Sequence, residues 1–293
     1  MRALESLLAD APVLMEGAMG TMLMSRLSAG ALGESLNLSD PAAVRDVHTQ
    51  YASAGARIHF SNTFNGNRVR LGAGGLGAQC SAVNVAGVRL AREAARCDAV
   101  VAGSIGPTGE LLAPLGTLTP EAAEEIFAAQ AAALAEGGAD IFWIETMLAL
   151  AEAEAAIAGC RRAGSQPIAV TMSFSETPRG FFTMMGHSVA DCVARLEAAG
   201  VAVIGANCQL AGGAMVRLAE LLRAATELPV AIQPNAGQPE LRDGSAVYTE
   251  TPDEFAASAA KLADLGVALI GGCCGTTPAF IAAARDRLES RRA

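Results

Sequence analysis

Residues 270–278 read IGGCCGTTP, with two adjacent thiols set between glycines at the end of an apolar run. Neighbouring side chains on a regular strand point to opposite faces. Cys273 and Cys274 therefore converge on one atom only where the backbone leaves the strand and turns, and Gly271, Gly272 and Gly275 make such a turn low in strain. A third cysteine, Cys208, closes another apolar run, VAVIGANC at 201–208. Three thiolates with one position left open describe a Zn²⁺ site, because zinc takes four ligands and binds Cys sulfur at about 2.3 Å. The chain has no CxxC pair, the usual spacing of a closed structural zinc knuckle. Simple packing of small side chains is the competing reading of the CC pair. Three thiolates donate much charge and weaken the ion as a Lewis acid, so activating water is less natural than activating an incoming thiol. Coordination lowers a thiol's pKa from about 8.5 and keeps a nucleophilic thiolate at neutral pH. The chemistry expected is alkyl transfer to a thiol, with hydrolysis second.

Cys208 and the CC pair lie more than 60 residues apart, so the fold must bring them together. Eight short apolar runs recur, at 13–18, 57–63, 99–106, 140–146, 167–173, 201–208, 229–237 and 267–275. Most are rich in β-branched residues and nearly continuous in hydrophobicity, the pattern of strands buried on both faces. Alanine-rich stretches between them read as helices. Thr119 with Pro120, Ser188, and Thr251 with Pro252 are the start signals, and glycines at 138, 200 and 266 the stops. Eight β/α units predict an α/β fold of the closed (β/α)₈ TIM-barrel type, as a single domain over 1–293. A doubly wound sheet is the rival, but no dinucleotide fingerprint follows the first strand; GAMGT at 17–21 is a loose echo of one. The segment 64–80 reads as a loop with a short helix.

Active sites of such barrels lie at the C-terminal strand ends. The residues there are Glu16 and Gly17; Asn62 and Thr63; Ser104; Glu145; Ser173; Asn207 and Cys208; Gln233 and Asn235; Cys273 and Cys274. Asn235 is expected to fill the fourth metal position through its side-chain oxygen when substrate is absent. Glu145 is expected to receive an ammonium group; the alternative is a carboxylate stabilised at a helix N-terminus. The turn Gly17, Ala18, Met19, Gly20, Thr21 offers backbone N–H groups to a carboxylate, or merely closes the first strand on its helix. Asn62 and Ser104 are further candidates for substrate contact, and Trp143 is expected to fill the barrel below. His187 stands before a helix start, near the rim or in a capping role.

The formal charge of −9 and the lack of a Lys/Arg cluster argue against a nucleic-acid partner. No apolar stretch is long enough to span a bilayer, and the first residues lack a signal-peptide pattern, so a cytoplasmic protein without membrane association is expected. Seven cysteines are neither even in number nor dense, which argues against disulfides.

EGAMGT, SNTFNGN, GSIGPTGELLAPLGTLT, WIETM, GANC, PNAG and GGCCGTTP occur in that order. In these motifs the chain resembles the homocysteine S-methyltransferase family from about 12 to 288. GANC with GGCCG is the most specific part. The resemblance implies Zn²⁺ held by Cys208, Cys273 and Cys274, homocysteine as substrate and methionine as product. It also implies Glu145 on the amino group, the turn at 17–21 on the carboxylate, and Asn235 beside the metal. The donor is left between a betaine-like methylammonium and a methyl-corrinoid on a separate protein. In the alternative, the chain is a homocysteine-activating subunit that works only with such a corrinoid protein. The stretch TMSFSETPRGFFTMMGHS resembles short bacterial betaine enzymes, yet one Trp and two Tyr leave little for an aromatic cage. Oligomeric state is left open.

Overall fold

The computed structural model describes residues 2–28, 30–242 and 245–291. Eight parallel strands build the central sheet: β1 (Val13–Leu14), β2 (Ile58–Phe60), β3 (Val100–Ile105), β4 (Ile141–Met147), β5 (Ile168–Met172), β8 (Val203–Ala211), β9 (Val230–Asn235) and β12 (Leu269–Ile270). Their order is β1-β12-β9-β8-β5-β4-β3-β2, and a parallel bridge between Met15 and Ile58 joins the two ends. The expected closed barrel is therefore the observed fold, and all eight apolar runs carry its strands. β1 and β12 are only two residues each. The backbone leaves both early, at the glycine-flanked stretches that carry the site.

Helices lie between successive strands and shield the outer faces. Pro120–Gly137 starts at Thr119, whose side chain accepts from Ala122 N–H, and ends at Gly138 with φ +93°. Val189–Ala198 and Pro252–Asp264 open with complete capping boxes at Ser188 and Thr251. These are the start signals read from the sequence. The segment 64–80 forms a helix at Arg68–Ala73 and a 3₁₀ turn at Gly77–Gln79.

The barrel interior is a separate small core. Met15, Ile58, Phe60, Val100, Ile141, Trp143, Val203 and Leu269 meet there, and Leu4 and Leu7 of the helix Arg2–Leu8 pack against them. Trp143 is fully buried and stacks edge-on against Phe60, ring centres 5.0 Å apart. It fills the barrel as its place on the strand predicts. Gly205 allows β8 to approach β9, since a Cβ there would lie 1.9 Å from the Ala231 carbonyl oxygen.

Two antiparallel hairpins were not expected from the sequence: β6 (Ser175–Thr177) with β7 (Gly180–Phe182), and β10 (Glu240–Arg242) with β11 (Ser245–Val247). They follow β5 and β9 on the mouth side. No helix among the described residues is long and apolar enough to cross a membrane.

Candidate active site

The C-terminal mouth of the barrel opens into a cavity of about 470 Å³. Cys208, Cys273 and Cys274 stand in its wall with Glu145, Ser104, Asn62 and the residues 17–21. The three sulfurs lie within 4.8 Å of one another, and the Sγ atoms of Cys208 and Cys274 are 3.8 Å apart. Residues from β8 and from the turn after β12 thus converge as the spacing argument required.

Local backbone geometry explains the convergence. Cys208 and Gln209 adopt φ of +62° and +60°, and Thr146 on β4 has φ +60°. Left-handed conformations at non-glycine residues are strained and need support from around them. Asn207 supplies it. Its Oδ1 accepts the Thr146 N–H at 2.8 Å and its Nδ2 donates to Thr146 Oγ1 at 2.7 Å. The same Nδ2 lies 3.8 Å from Cys273 Sγ. On the other side, Thr276 Oγ1 donates to the Cys273 carbonyl at 2.7 Å and accepts the Ala18 N–H at 3.1 Å. Tyr51 donates to the Thr276 carbonyl at 3.1 Å, and the Gly275 N–H reaches Thr21 Oγ1 at 3.1 Å. Gly17 is required here: a Cβ would meet Thr276 Oγ1 at 2.5 Å and the Tyr51 hydroxyl at 2.8 Å. The cysteine turn and the turn at 17–21 are therefore one locked unit.

Hydrogen bonds from Cys208 and Cys273 hold Cys274 far below the usual thiol range, while its neighbours push Cys273 well above it. Tyr248 also donates to Cys274, and its ring fills the space beside Gly275. Three cysteine sulfurs this close together are the donor set of a soft-metal site.

Glu145 accepts a short hydrogen bond from Ser104 Oγ. Burial pushes its carboxyl up to about 7, against the pull of that hydroxyl. Of the turn at 17–21, the Ala18 N–H is already bonded to Thr276, and the helix Met19–Leu23 opens with no side-chain cap. Its first residues, Met19, Gly20 and Thr21, line the cavity.

Other expected residues fall differently. Glu16 is not in the cavity wall. It is 1% exposed, and Oε1 accepts from His48 Nδ1 at 2.8 Å and His59 Nδ1 at 2.6 Å, while Oε2 accepts the Phe60 N–H at 3.0 Å. Glu16, His48 and His59 also have the ligand types and closeness to hold an ion. Contacts of 2.6–2.8 Å are hydrogen-bond lengths, so the Glu16 carboxylate is answered by its neighbours, although His48 Nε2 and His59 Nε2 are buried without partners; the cysteines instead open on a cavity. Asn62 borders the cavity, but its amide donates to the Gly33 carbonyl and to Asn37 Oδ1, both at 2.9 Å, tethering the loop before the helix Leu36–Ser39. Asn235 is buried and does not line the cavity, and its Oδ1 has no hydrogen-bond partner. An acceptor left free in this way suits a residue whose oxygen has another use nearby. His187 lines a separate cavity with Met184 and Met185, away from the cysteines.

Asn207, Tyr51, Thr276, Tyr248 and Glu34 shape this site, yet sequence reasoning gave them no role. Asn207 sits beside Cys208 in GANC and Thr276 follows CCG, so adjacency was the available signal. Tyr51 and Tyr248 come from elements remote in sequence.

The family model described as homocysteine S-methyltransferase matches residues 13–288. The methionine synthase of Mycobacterium leprae is 32% identical over 285 residues, covering 91% of this chain and 23% of that protein. The methionine synthase of Mycobacterium tuberculosis is 31% identical, with 91% and 24% covered. The chain therefore spans about a quarter of the length of these two relatives. Among solved structures, the metallated form of the homocysteine methyltransferase MmuM from Escherichia coli superposes with a TM-score of 0.80. It is 28% identical, and 97% of this chain and 99% of that one are covered. The oxidized form of the same enzyme gives 0.79 at the same identity and coverage.

Proposed function

The chain belongs to the homocysteine S-methyltransferase family, and from that premise we propose that it transfers a methyl group to the thiol of homocysteine, giving methionine, at a zinc ion held by Cys208, Cys273 and Cys274. The observation that carries this reading is the meeting of three sulfurs within 4.8 Å in the wall of a cavity large enough for an amino acid. Two findings support the fit of the metal: the donor set is soft, and Asn235 Oδ1 lacks a partner. The metallated form of MmuM, similar over nearly the whole chain, agrees with a metal centre.

When bound, zinc lowers the pKa of a coordinated thiol and keeps it nucleophilic at neutral pH. The protein's part is to place the substrate. Glu145, ionised, receives the amino group of homocysteine, and Ser104 fixes the carboxylate by its hydrogen bond. The uncapped start of Met19–Leu23 lines the cavity, and its N–H groups are assigned to the substrate carboxylate. With both ends held, the thiol is directed at the cysteines. Asn207 and Thr276 hold the cysteine backbone so that no rearrangement is needed at the moment of transfer. The apolar wall, with Leu27, Phe60 and Phe64, excludes water from the displacement. The methyl carbon forms a bond to sulfur as its bond to the donor breaks, and the electron pair leaves with the donor.

Replacing Cys273 with alanine tests the proposal. Zinc content and methyl transfer should both be lost; full activity without metal refutes it. A second reading is a homocysteine-activating subunit served by a separate corrinoid protein. It is favoured by the match to about a quarter of each methionine synthase. Turnover of the purified chain with betaine alone excludes it.

A further inference from the structure

We propose that a second cavity on the mouth side of the barrel binds an apolar α-amino acid, with its two charges held at one end and its side chain among exposed leucines and methionines. The cavity measures about 330 Å³ and, among the described residues, shares no part of its wall with the cysteine cavity. The loop after β3, the start of the helix Leu150–Ala163 that follows β4, and the turn after β7 build it. Both loops are fixed from within. The Ala113 N–H donates to the Leu118 carbonyl at 2.8 Å and the Gly116 N–H to the Leu112 carbonyl at 3.0 Å, while the Thr183 N–H donates to the His187 carbonyl at 2.9 Å. The cavity is therefore largely formed before a ligand arrives.

Two opposite charges on one short segment set the polar end. Arg70, from the helix Arg68–Ala73, lies directly against Gly109, where a Cβ would stand 2.5 Å from Arg70 Cζ. Glu152 is tied to the residue before: its Oε1 accepts the Thr108 N–H at 2.8 Å and Thr108 Oγ1 at 2.6 Å. Consecutive Cα atoms are about 3.8 Å apart, so cation and carboxylate flank neighbouring residues. Yet Arg70 makes no ion pair among the described residues, and it acts only weakly on Glu34. Glu152 Oε2 accepts no hydrogen bond from those residues and is not one of the sealed, unpartnered oxygens. Both charges thus keep capacity for a ligand. Glu110 adds a second carboxylate to the wall, and the helix Leu150–Ala163 begins at Ala149 with no side-chain cap. The carboxylates suit an ammonium group, and Arg70 with an uncapped helix start suits a carboxylate. A ligand carrying both groups on one carbon answers both sides, whereas an ion of a single sign leaves one unanswered.

The rest of the wall is apolar. Seven large hydrophobic side chains are exposed among the described residues, and four of them, Leu111, Leu115, Met184 and Met185, line this one cavity. Such a concentration marks a binding surface, whereas exposed hydrophobics scattered singly do not. The unbranched thioether of methionine adapts to differing shapes, so the wall suits apolar side chains as a class. A volume of about 330 Å³ stands at the lower end of the range for small-molecule sites, in keeping with a free amino acid. Leu148 and Leu150 also line the cavity, directly after β4, so an occupant rests on the segment that leaves the strand carrying Glu145.

Titration calorimetry on the zinc-loaded protein tests this with L-leucine, which has no sulfur to offer the metal, and with two singly charged analogues, 4-methylpentanoate and 3-methylbutylamine. L-leucine should bind at one site, and each analogue at least about tenfold more weakly. Arg70→Gln and Leu115→Asp alter exposed side chains, so the fold tolerates them. Each should weaken L-leucine by about tenfold or more. Glu145→Gln should change its affinity less than about twofold, because that carboxylate belongs to the other cavity. No binding of L-leucine at millimolar concentration, equal binding of either analogue, or unchanged affinity in Arg70→Gln or Leu115→Asp overturns the proposal. Weakening by Glu145→Gln would place the amino acid in the cysteine cavity and overturn it too. No arm uses homocysteine or a methyl donor, so failure here leaves the methyl-transfer reading standing, and failure of that reading leaves this site to be judged by its own variants.

Discussion

Asn207 and Thr146 exchange two hydrogen bonds across the barrel mouth, N–H to Oδ1 at 2.8 Å and Nδ2 to Oγ1 at 2.7 Å. The pair joins β4, which carries Glu145, to β8, which carries Cys208. It also supports Thr146 and Cys208 in left-handed backbone conformations. Under the proposed function, the residue assigned to the substrate's amine and a residue assigned to the metal are thereby held in one frame.

Asn207→Ala should break that frame. Loss of the partner leaves the Thr146 N–H unanswered, at about 1–3 kcal/mol of stability. Groups that orient metal ligands typically contribute about 10–100-fold to metal affinity. Denaturant unfolding and zinc competition with a chelator measure the two effects. Unchanged zinc affinity would show that Asn207 only braces the backbone.

Glu145→Gln should weaken homocysteine binding by about tenfold or more, because an ion pair in a low-dielectric cavity becomes a neutral contact. Zinc stoichiometry should stay as in the unaltered protein. In that protein the carboxyl is pushed up to about 7, so it is ionised above that pH and protonated below it. Homocysteine affinity should therefore rise with pH through the neutral region, and Glu145→Gln should remove this part of the profile. Titration calorimetry from pH 6 to 8 reads both.

Glu16 carries a different pH signature. Burial opposes its ionisation, but His48 and His59 outweigh burial and lower its pKa from 4.5 to about 2. A carboxyl depressed on folding stabilises the protein above its unfolded pKa and loses that contribution as pH falls through the folded value. The difference corresponds to about 3 kcal/mol at 1.36 kcal/mol per unit. The stability gap between the unaltered protein and Glu16→Gln should thus be level from neutral pH to about 4.5 and shrink towards pH 2. A gap that persists undiminished at pH 2 would contradict a Glu16 carboxyl lowered to about 2.

The barrel was legible because period and punctuation repeat. Each buried strand is a short continuous apolar run, and Thr119, Ser188 and Thr251 announce helices that the structure caps at those residues. The cysteine cluster was legible because strand ends of a barrel share one mouth. The hairpins were not: their strands have three residues each, too few to show alternation, although the stretch TPRG held a turn signal that Gly180 uses at φ +111°. Glu16 misled for a related reason. Its place at a strand end is right, but the pleat turns the carboxylate away from the barrel axis, towards the helix layer, where His48 from the helix Pro41–Ala54 and His59 from the next strand meet it. Only the closed fold reveals those partners.

The account's central claim is that three cysteine sulfurs hold one ion with room for the substrate's sulfur. X-ray absorption at the zinc edge, before and after adding homocysteine, tests it most directly. The account predicts three sulfurs and one lighter atom at first, at about 2.3 Å for the sulfurs, and four sulfurs with homocysteine bound. An unchanged ligand shell would contradict it.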